Sequence, residues 1–107
     1  MAGDRPLISL PEWLARHTSG APPALRRRVS ELASAACVEG SIAERLADAG
    51  RSALSAVESH HGDRSAALDL LAADALITLA LLAQAEVAPA ALADFARALV
   101  PSVARSQ

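Results

Sequence analysis

Between residues 64 and 86 the chain offers a helix almost no polar side. From Ala66 to Ala83 the only polar side chains are Asp69, Asp74 and Thr78. Leu68, Ala72, Ala75, Leu79 and Leu82 recur at helical spacing and form one apolar stripe. Leu70, Ala73, Ile77, Ala80 and Leu81 form another. A helix that is apolar on nearly every side must be covered on nearly every side. The rest of the chain therefore has to wrap this rod, and whatever it leaves bare has to meet something else.

The wrapping material is itself helical. Hydrophobic residues make up 52% of the chain and aromatics only 2%, with Trp13 and Phe95 the two rings and no tyrosine. The core must be built from Leu, Val, Ile and above all Ala, the best helix former, and β-branched residues are few. Small side chains also let helices approach closely. The expected fold is all-α: a small bundle of four main helices plus a short N-terminal helix, with the apolar helix at about 64–86 in the centre.

Cap and stop signals divide the chain. Ser9 and Glu12 have capping-box spacing with Pro11 in the first turn, which predicts a short helix over about 11–16 carrying Trp13 and Leu14 as a lid. Pro22 and Pro23 open a second helix reaching about Val38, with Leu25, Val29, Leu32 and Ala36 on one face. Gly40 stops it. Ser41 and Glu44 form a second capping box for a third helix striped by Ile42, Leu46, Ala49, Ala53 and Val57. Gly50 lies inside that pattern and marks a break, a kink or a close helix contact. Asp63 is a candidate N-cap for the fourth helix. Pro89 or Ala90 opens a fifth, with Leu92, Phe95, Leu99 and Val103 on one face, and Pro101 bends or ends it. Residues 1–107 read as one domain, with 1–8 and 102–107 as flexible ends.

Charge and cysteine content narrow the setting. All basic residues are arginine, a bacterial-like bias, and the net charge is -2. That charge gives no global pull toward nucleic acid or anionic membrane. Cys37 is the single cysteine, so an internal disulfide is excluded and a reducing, cytoplasmic setting is expected. Met1 to Pro6 carries Asp4 and lacks the apolar run of a secretory signal. No membrane role is expected either, because a charged residue at mid-bilayer costs roughly 2.5–3.5 kcal/mol and Asp74 lies mid-stretch.

Four groups of residues are candidates for chemistry or recognition. Asp74, with Thr78 one turn on, is expected as a buried polar pair, Asp74 being neutralised by an arginine or capping another helix. Asp69, five residues back, falls on a different face. Glu58 and His61 have the Glu-x-x-His spacing that places both side chains on one helical face, as in di-iron bundles. A dimer would supply two copies, with Glu31 or Glu44 completing an iron or zinc site. Ser41 to Ser59 resembles a helix-turn-helix with Gly50 at the turn and Arg51 facing DNA. Arg26, Arg27 and Arg28 fan around their helix as a solvated face, with Arg27 or Arg28 near Glu31.

No glycine-rich phosphate loop, Gly-x-Ser-x-Gly elbow or His-Glu-x-x-His motif is present. The leading expectation is a protein–protein interaction or assembly module without catalytic activity or cofactor. Its first partner is a second copy, with another protein as a further partner and nucleic acid not expected. Leu70, Ile77 and Leu81 are the expected dimer seam. Metal binding at Glu58, His61 and Glu31, and DNA regulation through Arg51, are the alternatives.

Overall fold

The computed structural model describes residues 9–35, 39–59 and 64–99. Its elements are α1 (Leu10–His17), α2 (Pro23–Ala35), α3 (Ile42–Glu58), α4 (Arg64–Val87) and, after a short 3-10 turn at Pro89–Ala91, α5 (Leu92–Leu99). The all-α expectation holds, and no strand occurs among the described residues. Asp63, Pro101, Val103 and the expected flexible ends lie outside them, as do Ala36, Cys37 and Val38.

Local chemistry explains where the helices begin. Ser9 Oγ accepts the Glu12 N–H at 3.3 Å and starts α1, whose Leu10, Trp13 and Leu14 are spaced to share one buried face. At α3 the capping box is complete. Ser41 Oγ accepts the Glu44 N–H at 3.1 Å, and Glu44 Oε1 accepts the Ser41 N–H at 2.9 Å. Gly40 precedes it with φ of 135°, and a β-carbon there would collide with the Glu44 carboxylate.

α3 and α4 form the principal helix pair, with α2 packed against both and α5 against α4. Their buried positions are largely small: Ala43, Ala47, Ala49, Gly50 and Ala53 on α3, and Ala72, Ala73, Ala80 and Ala83 on α4. Small residues at a helix contact bring the two axes close together. Gly50 is a point of close approach. A β-carbon there would lie 2.8 Å from Ile77 Cδ1 and 3.3 Å from the Ile77 backbone nitrogen. Of the three expectations for Gly50, the close helix contact is the one found, and α3 runs through it without a break.

α4 turns one face to the core. Ala72, Leu76, Leu79 and Ala83 are buried along it, together with Ala73 and Ala80, and Leu76 is fully enclosed. This line runs between the two stripes read from the sequence. It joins one edge of each and leaves their other edges, Leu82 and Leu70, exposed.

Candidate interaction face on α4

Polar contacts near both ends of α4 accord with the rotation set by its buried line. Near its start, Arg28 of α2 grips Asp69 with both arms of the guanidinium, Nε donating to Oδ1 at 2.6 Å and a terminal nitrogen to Oδ2 at 3.2 Å. Arg28 also donates to Glu31 at 3.1 Å. The Asp69 carboxylate first, and Glu31 second, hold the guanidinium more firmly protonated than usual. Near the end of α4, Glu86 accepts from Trp13 Nε1 at 3.1 Å and places its other carboxylate oxygen 3.1 Å from His17 Nε2. His17 stacks on Trp13 with ring centroids 3.9 Å apart and donates from Nδ1 to the Trp13 carbonyl at 2.9 Å.

In this orientation the face opposite the core is not covered by the described residues. Ala67, Leu70, Leu71, Asp74, Thr78 and Leu82 are exposed along it, and Leu81 and Ala85 are half-buried toward its far end. Leu70, Leu71 and Leu82 keep 49%, 57% and 41% of their surface in solvent. Leucines normally bury more than this, and here three share one helical face. By length and composition, Ala66–Val87 is also a helix that could cross a membrane, although a third of it is buried within the protein.

Several expectations are corrected by this geometry. Asp74 and Thr78 are exposed in the single chain rather than buried, because the buried line of α4 runs along its opposite face. Neither side chain makes a hydrogen bond or ion pair among the described residues. Of the expected seam residues, Leu70 is on the open face and Leu81 lies half-buried at it. Ile77 is turned away, packed on α3 at Gly50. Leu71 and Leu82 are exposed on the same face as Leu70. His17 has a partner in Glu86, which the sequence did not suggest.

The alternative sites fare as follows. Ser41 to Ser59 is no helix-turn-helix, because α3 continues through Gly50 and Arg51 is an exposed residue within it. Glu58 is exposed at the end of α3, and Glu31 is held by Arg28. His60 and His61 lie outside the described residues, among which no group of His, Cys, Asp and Glu is arranged to hold a metal.

Fold and face together define a small all-α bundle in which the described residues leave one side of the most apolar helix open. Comparison with protein-family models, with curated proteins and with solved structures finds no match.

Proposed function

We propose that the protein is a small cytoplasmic assembly module that works through the outer face of α4, its first partner being a second copy of itself. The carrying observation is the exposure of Leu70, Leu71 and Leu82 on one face of a helix whose other face is the core. Burying a leucine fully is worth about 1.5–3 kcal/mol, so finishing the burial of a half-exposed one brings about half of that. Six such leucines in a symmetric pair bring on the order of 5–9 kcal/mol. Association costs about 4–15 kcal/mol, so the leucines are comparable to that cost and do not overwhelm it.

Geometry agrees with a modest affinity. From Ala67 to Ala85 the stripe is about 27 Å long at 1.5 Å per residue, and one helix face is narrow. Such a contact falls short of the roughly 800 Å² per partner of a standard interface. The expected complex is therefore reversible, with a dissociation constant in the micromolar range or above. A bilayer is the less favoured occupant, because Asp74 sits at the centre of the face.

Sedimentation equilibrium of the full chain tests the proposal. The weight-average mass should climb from one chain toward two between about 1 and 300 µM. A single-chain mass throughout would contradict it. So would a monomer that instead partitions onto neutral phospholipid vesicles.

A further inference from the structure

Building on the self-association reading above, we infer that the two copies pair α4 against α4 antiparallel, with the two-fold axis crossing at the level of Leu76. The outer stripe reads alike in either direction about that level, its central couple being the two polar residues Asp74 and Thr78. Asp74 lies two residues before Leu76 and Thr78 two after. Leu71 lies five before and Leu81 five after. Ala67 lies nine before and Ala85 nine after. Along the helix these six positions alternate steps of four and three, the period of a seam between two paired helices.

A two-fold rotation brings each member of such a couple to the level of the other. The layers are then alanine on alanine, leucine on leucine, and Asp74 on Thr78 of the partner subunit, twice. Leu70 and Leu82, also exposed, flank the Leu71–Leu81 layers from opposite sides. Alanines at both ends of the stripe let the helices stay close along its whole length.

The central layer selects the direction. In a parallel pair, Asp74 would face Asp74 of the partner subunit, placing two carboxylates together in an apolar seam. In the antiparallel pair, each Asp74 carboxylate accepts from the hydroxyl of Thr78 of the partner subunit, an acceptor meeting a donor. Both side chains point outward from the single chain without a partner among the described residues. The polar centre of an otherwise apolar face is thereby satisfied, and it fixes the register as a lone polar layer does in paired helices.

Charge substitutions at these two exposed positions separate the possibilities, and circular dichroism checks that each variant stays folded. Thr78→Glu sets a second carboxylate against Asp74 of the partner subunit in both layers. Its dimer should be weaker by tenfold or more, a factor on the order of that for like charges brought together. Adding Asp74→Lys to Thr78→Glu puts opposite charges face to face in the antiparallel register only. In that double variant, dimerisation should return to within about threefold of the unmodified chain. A parallel pair would bring lysine onto lysine and glutamate onto glutamate. A double variant no tighter than Thr78→Glu, with the unmodified chain dimeric, therefore overturns the register and leaves self-association standing. Thr78→Glu dimerising as well as the unmodified chain removes α4 as the contact. An unmodified chain that never dimerises overturns the underlying reading itself.

Discussion

Gly50→Ala puts the α3–α4 contact to a quantitative test. In an ordinary helix interior this change stabilises by about 0.8–1.0 kcal/mol, because alanine is the better helix former. Here the new β-carbon would lie 2.8 Å from Ile77 Cδ1, 3.0 Å from Cγ1 and 3.3 Å from the Ile77 backbone nitrogen. The terminal methyl can rotate away. The backbone nitrogen cannot, so α4 itself must shift. Overpacking of this kind costs about 1–3 kcal/mol, and the net expectation is a loss of about 1 kcal/mol after the propensity gain. A chain of this size should melt about 4–8 °C lower for each kcal/mol lost. Ile77→Ala in the Gly50→Ala background removes Cδ1 and Cγ1 but keeps the backbone nitrogen, so most of the Gly50→Ala loss should persist and the two changes should be additive to within about 0.5 kcal/mol. Urea denaturation followed by circular dichroism reads all four corners of this cycle. A Gly50→Ala protein more stable than the parent by the full propensity increment would show that the helices are not in close contact there.

Three further outcomes follow from the polar contacts. Ser41→Ala removes the capping oxygen of α3 and should cost about 1 kcal/mol in urea denaturation, whereas a loss under a few tenths would mean the capping box does not hold the helix start. Asp69→Ala should cost on the order of 1 kcal/mol, near the upper end for a partly exposed pair because the arginine grip is two-armed. The raised pKa of Arg28 means that its stabilising charge is complete below the ordinary arginine value and is lost only above it, so the cost should be equal at about pH 6 and pH 9; a cost that shrinks between them would point to another group. Glu86→Ala leaves the Trp13 indole N–H and the His17 ring without their acceptor, and the single tryptophan should report this as red-shifted emission when α1 loosens. Unchanged emission would show that α1 is held by apolar packing alone.

The helix starts and the choice of fold were legible because they rest on local chemistry. Ser9 with Glu12, and Ser41 with Glu44, carry their signals within four residues. The rotation of α4 was not legible, because a helix apolar on all sides has no periodicity to show which side is the core. Ala72, Leu76, Leu79 and Ala83 compete on equal terms with the stripes through Leu82 and Leu70. The contacts that accord with the first, Arg28 with Asp69 and Gly50 with Ile77, join distant parts of the chain. The same non-locality hid the pairing of Trp13 and His17 with Glu86. Gly50 read as a break, a kink or a close contact because its propensity cost was visible in the sequence, while Ile77, the neighbour that decides among them, was not. Asp74 was expected to need burial and a partner within the chain, an inference that assumed the wrong side of the helix was enclosed.

Methyl-resolved NMR across a dilution series tests most directly whether the outer face of α4 is where two copies meet. Between about 300 and 5 µM, the methyl signals of Leu70, Leu71, Leu81 and Leu82 should move together along one binding curve. Those of Leu46 and Leu76, both fully enclosed, should stay still. Signals that do not depend on concentration, or changes confined to another part of the surface, would contradict the account.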